Sequence, residues 1–151
     1  MTKKESKRAW YASLKKSQLK HLEEEVRVFE IIKVELEEAR NNILMQRNYS
    51  VQDGPRGTDI SDTTYNTAIK LMTTTAIRDM EKTVYAIERA MREFPVGDSK
   101  KAEFIQEMFF NRTLTPKGIQ LKLHVSETTF WKWRENFLLL VALYKGYKVY
   151  N

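Results

Sequence analysis

Cysteine is absent from the 151 residues of the chain. That excludes disulfides and thiolate metal sites, and it suits an intracellular setting. Proline and glycine are scarce, at 3 and 5 residues. Their scarcity argues against a strand-and-turn fold and favours long uninterrupted helices. Histidine occurs only at His21 and His124, far apart and without H-E-x-x-H spacing. The opening MTKKESKRAW lacks the apolar stretch of a signal peptide. The longest apolar run, Phe137 to Tyr144, is far too short to span a bilayer. The expectation is a cytoplasmic protein with no membrane partner. The acidic residues fall on solvent faces of expected helices without converging. No catalytic residue, metal ligand or cofactor is therefore expected, nor an enzymatic activity.

What is present is a core and a pattern of charge. Hydrophobic residues make up 42% of the chain, enough to fold. The net charge is +6, unevenly spread. Residues 1–20 carry seven Lys/Arg against one Glu, residues 21–99 ten against fifteen acidic, and residues 100–151 nine against four. Two basic ends flank an acidic middle. Clustered positive charge is the footprint of a polyanion ligand, usually nucleic acid, although a solvated Lys-rich surface has the same composition.

The pattern predicts an all-α protein. One long helix is expected from about Lys4 to Asn48. Its stripe is Leu22, Val26, Phe29, Ile32, Leu36, Ala39 and Ile43, at spacings of three and four. Its first turns, with Lys3, Lys4, Lys7 and Arg8, either form a basic tail or grip phosphate. Residues 49–60, YSVQDGPRGTDI, are turn formers and read as a connector. They lack the Gly-Lys-Ser/Thr ending of a nucleotide-binding loop. Ser61 then caps a second long helix to about Arg92. Its expected stripe is Tyr65, Ile69, Met72, Ala76, Met80, Val84, Ile87, Met91 and Phe94. Residues 1–98 thus read as a helical arm or hairpin for oligomerisation, and residues 99–151 as a separate domain.

That domain is punctuated differently. Ser99 caps a helix of about three turns, KKAEFIQEMFFN, with Phe104, Ile105, Met108 and Phe109 on its apolar face. Thr115 followed by Pro116 marks a strong helix start. The short helix PKGIQLKL, a link at His124-Val125, a cap at Ser126 and a longer helix from Glu127 to about Tyr144 have the spacing of a helix-turn-helix. Ile119, Leu123, Val125, Phe130 and Trp133 would clasp the pair. Gln120 stands where a small residue is common, and His124 where Gly usually supplies a left-handed turn. A plain helical hairpin in a bundle is the other arrangement this spacing allows.

With Phe130, Trp133 and Phe137 inward, helix geometry turns Thr128, Trp131, Lys132 and Glu135 outward, with Glu127 at the start. These five are the candidate base contacts. Glu127 suits cytosine N4, Thr128 a base or thymine methyl, and Lys132 guanine or phosphate. Trp131 either packs on sugar or thymine methyl or belongs to the core. Lys117, Lys122 and Arg134 are the candidate backbone contacts. The run FLLLVALY is apolar on all sides, and it is expected to pack on the long arm or to self-associate.

Three stretches resemble a known group. They are DGPRGTDISDTTYNTAIKL (Asp53 to Leu71), AEFIQEMFF (Ala102 to Phe110) and LTPKGIQLKLHVSETTFWKWRENF (Leu114 to Phe137). Together they are similar to the phage late-gene transcriptional activators of the RinA and ArpU type, whose C-terminal domain is similar to the DNA-reading region of sigma factors. Order and spacing match over most of residues 15–145. The resemblance implies action in the cytoplasm of a bacterial host, promoter binding, and activation of late or packaging genes, with host RNA polymerase as a possible partner. Gln120, His124 and the aromatic-rich segment from Phe130 to Trp133 depart from the commoner form, so no target sequence carries over. Two rivals remain. A small terminase-type packaging subunit would form a large ring on DNA. A helical protein-interaction adaptor would bind without steep salt dependence.

Overall fold

The computed structural model describes residues 14–49 and 60–147. Among them the fold is all-α. Six α-helices follow in order: α1 (Lys16–Arg27), α2 (Phe29–Tyr49), α3 (Ile60–Glu93), α4 (Ser99–Ile105), α5 (Pro116–Leu123) and α6 (Glu127–Lys145). A single π-turn, Gln106–Asn111, extends α4. The basic segment with Lys3, Lys4, Lys7 and Arg8 and the connector 50–59 lie outside the described residues.

The chain divides into two compact units. Of the described residues, those up to Phe29 and from Tyr85 onward form the first, and those between Glu30 and Val84 the second. The boundary expected at residue 98 falls inside the first unit. Its core joins helices far apart in sequence: Leu22 and Val26 from α1, Ile87 and Ala90 from α3, Phe104 from α4, and Phe130, Phe137 and Val141 from α6. Aromatic edges tie these together. Phe104 meets Phe130 at 5.3 Å and Trp133 at 5.7 Å between centroids, and Phe137 meets Phe94 at 5.6 Å. These are the edge-to-face geometries that ring quadrupoles favour.

The all-apolar run in α6 finds its outlet here. Phe137, Leu138, Val141 and Ala142 are buried, and α1 lies against the helix. Two cross-helix ion pairs fasten that packing. Arg134 holds Glu23, and Lys145 reaches Glu25 at 2.7 Å. Gly146, at φ 83, ends α6 in the left-handed conformation that glycine adopts without strain.

Four local expectations are corrected. The first long helix is interrupted at Val28, where φ is −100 and ψ is 14. β-branched Val resists helical geometry weakly, and Phe29 is held against Phe110 at 6.3 Å, so packing decides against continuity. The helix α3 begins at Ile60, ahead of Ser61. Asp98, not Ser99, caps α4, because its carboxylate accepts from the Lys100 amide at 3.0 Å. Residues 106–111 wind as a π-turn, in which the Arg112 amide reaches back to the Glu107 carbonyl.

In the second unit the expected stripe of α2 faces inward. Leu36 is buried, and Ile32, Ala39 and Ile43 are half-buried. The expected α3 stripe holds in its later half, where Ile87 and Phe94 are buried and Met80, Val84 and Met91 half-buried, and fails in its earlier half. Ile77 and Thr83 are buried, while Ile69, Met72 and Ala76 are exposed, Met72 by 73%. Arg40 and Glu81 pair across the two helices at 2.7 Å.

Candidate nucleic-acid interface

The link between α5 and α6 is set by caps at both ends. Thr115 Oγ1 accepts from the Gly118 amide at 3.1 Å, with Pro116 at the first helical position. At the other end of α5, His124 takes φ 54 and ψ 44. The Val125 amide donates to the Gln120 carbonyl at 3.1 Å and the His124 amide to the Leu121 carbonyl at 3.4 Å. These two bonds form a Schellman end, here with His in the place that usually belongs to Gly. Ser126 Oγ then accepts from the Thr129 amide at 3.1 Å and starts α6. The link is therefore three residues long, from the left-handed stop at His124 through Val125 to the Ser126 cap.

Its apolar side is closed. Ile119, Leu123 and Phe130 are buried, Val125 is half-buried, and Gln120 is buried at the crossing. Trp133 is half-buried, with the Lys101 ammonium 6.0 Å from its ring.

The candidate base contacts share the opposite face of α6. Glu127, Thr128, Trp131 and Lys132 are exposed, and Glu135 is half-exposed. Trp131 stands 40% exposed while its ring edge packs on Phe130 at 4.9 Å between centroids. It therefore presents aromatic surface to solvent from a rigid base. Glu127 lies in the first turn, where the positive end of the helix dipole favours a carboxylate.

The three candidate backbone contacts are placed differently from one another. Lys117 is exposed and has no acidic partner among the described residues. Lys122 is half exposed, and its Nζ donates to Glu107 Oε1 at 2.6 Å. Arg134 is turned inward. Its side chain is only 18% exposed, and both Nε and Nη2 donate to Glu23 Oε2. The position explains this: four residues after Phe130, Arg134 lies close to the buried face of the helix. It strengthens α6 against α1 and is not presented to a ligand.

Charge on this surface is tuned by the same contacts. The Lys122 ammonium, hydrogen-bonded to Glu107, holds that carboxyl below its ordinary range, and Glu107 in turn raises Lys122. Glu107 Oε1 also accepts from Asn111 Nδ2 at 3.3 Å within the π-turn. Beside the pair lies a hollow of about 320 Å³ walled in part by Met91, Pro95, Ala102 and Ile105. Farther away, the Tyr144 hydroxyl and Arg89 both donate to Glu93 and lower its pKa.

Sequence reasoning missed Glu23 and Glu107 as partners. Glu23 has a local partner in Arg27, four residues on at 2.6 Å, but nothing local points it to Arg134, 111 residues away, or points Glu107 to Lys122, 15 residues away. Among the described residues no group of three or more His, Cys, Asp or Glu is placed to hold a metal ion. No described helix is long and apolar enough to cross a membrane. No protein-family model, curated protein or solved structure matches the chain.

Proposed function

We propose that the chain binds duplex DNA through α5 and α6, with α6 as the reading helix, and regulates transcription. One observation carries this reading. A three-residue link with a left-handed stop and a Ser126 cap joins a short helix to a longer one, whose first turns bury Phe130 and expose Thr128, Trp131 and Lys132. A reading helix needs this division, because its N-terminal turns enter the groove while the helix before it crosses the backbone. Lys117, on that preceding helix, supplies an exposed cation for phosphate.

Activation of phage late or packaging genes is the role implied by the resemblance of Asp53 to Leu71, Ala102 to Phe110 and Leu114 to Phe137 to the RinA and ArpU type activators. Host RNA polymerase is the partner that role calls for. Self-association is supported by a separate observation: Ile69 and Met72, three residues apart and so on one face of α3, are both exposed on the second unit. Apolar clusters of this kind mark interaction surfaces.

Salt titration tests the reading. Affinity for a duplex should fall linearly with salt on logarithmic axes, and each phosphate contact adds about 0.9 to the slope. Lys117→Ala should flatten that slope and weaken all sequences alike. Absence of binding to any duplex at low salt would remove the reading.

A further inference from the structure

We propose that Glu107 governs how strongly Lys122 engages nucleic-acid phosphate, by holding its ammonium in the free protein. The proposal rests on the duplex-binding reading above and adds a control residue to it. Lys122 lies in the last turn of the helix that precedes α6, on the helix where backbone contacts fall. Its side chain is 50% exposed, so the stem is free to swing. Yet Nζ is committed to Glu107 at 2.6 Å. A phosphate that approaches must draw Lys122 from a carboxylate already in contact with it.

The two partners are unequal in freedom. Glu107 is only 10% exposed, and the Asn111 amide ties the same oxygen to the π-turn. The lysine stem moves and the carboxylate stays. Departure of the lysine does not strand a dry charge, because Glu107 borders an open hollow that water can enter. That makes the contact reversible, unlike the Arg134–Glu23 pair, whose guanidinium is 18% exposed and makes two hydrogen bonds. Lys117 and Lys132 have no such competitor among the described residues. Lys122 is thus a phosphate contact with a built-in rival, and Glu107 is a positioning residue that never touches DNA.

The test is a set of four full-length proteins: the parent, Glu107→Gln, Lys122→Ala and the double variant. Each is titrated against a labelled random-sequence duplex by fluorescence anisotropy over a salt series, with circular dichroism as a check of fold. Glutamine keeps the size and the Asn111 contact but not the charge. Glu107→Gln should strengthen binding roughly 2- to 5-fold at moderate salt, the range that a partly exposed ion pair can withhold. Its salt slope should steepen by up to about 0.9, the share of one phosphate contact. The double variant should match Lys122→Ala, because the gain passes through Lys122. A gain that persists in the double variant would reduce the effect to general charge and overturn the proposal. So would unaltered affinity and slope in Glu107→Gln when the parent binds. Should Glu107→Gln fail to fold, Glu107→Asp replaces it, keeping the charge but retracting it by one methylene. Stronger binding then supports the proposal and equal binding overturns it. If the parent binds no duplex at any salt, the duplex-binding reading itself falls, and this proposal with it.

Discussion

Leu22→Ala should destabilise the unit that contains α6, although the two lie more than a hundred residues apart in the chain. Leu22 is fully buried, and α1 packs along α6. Truncating a buried Leu removes its transfer energy and leaves a cavity, at a cost of about 2–5 kcal/mol depending on how far the site collapses. Relaxation is restricted here by the Arg134–Glu23 and Lys145–Glu25 pairs, which hold α1 to α6 within three residues of Leu22. A value of about 3 kcal/mol is therefore expected, which changes the unfolding constant by roughly 100-fold. Leu44→Ala is the matched control. It makes the same chemical change at a residue 57% exposed, where surface substitutions stay within about 0.5 kcal/mol. Urea unfolding followed by tryptophan fluorescence reads the difference, because Trp131 and Trp133 sit on α6 in the same unit as Leu22. Equal midpoints for the two variants would mean that α1 is no part of that core, and the packing described here would be refuted.

Other substitutions separate strain from charge. His124→Gly should stabilise the protein by about 0.5–1 kcal/mol, since relief of the left-handed strain outweighs the added freedom of the unfolded chain; thermal unfolding checks the sign. Glu107 and Glu93 titrate below the ordinary carboxylate value of 4.5. A depressed folded pKa gives stability that is present above the unfolded value and lost as pH falls through the folded one. Stability should therefore decline as pH drops from about 4.5 downward, and Glu107→Gln should shallow that decline in an acid titration.

Local chemistry was readable in the sequence, and long-range chemistry was not. The caps at Thr115 and Ser126 and the left-handed turn at His124 follow from neighbouring residues, and the structure places all three where they were expected. The inward stripe from Leu22 to Ile43 was equally legible, because one apolar row stands against acidic flanks. On α3 the row is ambiguous: Met72 and Ala76 compete with Thr73 and Ile77, and the sequence carries no mark that Thr73 and Ile77 are the less exposed pair. The π-turn leaves no mark, since Phe104, Ile105, Met108 and Phe109 suit either winding. Arg134 reads as a surface cation until Glu23 is brought to it by the fold. The Lys122–Glu107 pair was hidden for the same reason.

The central claim is that α6 reads base sequence. The most direct measurement is a selection from random duplexes with the parent, Thr128→Ala and Lys132→Ala, each checked by circular dichroism. Both side chains are exposed on the face opposite buried Phe130. A base-reading side chain contributes roughly 1–3 kcal/mol of discrimination at its own base pair. Each variant should keep its helix content and lose preference at one or two positions of the parental motif, with much less change in non-specific affinity. An unaltered motif in both variants would contradict the account, and α6 would then be a helix of a bundle with no reading role.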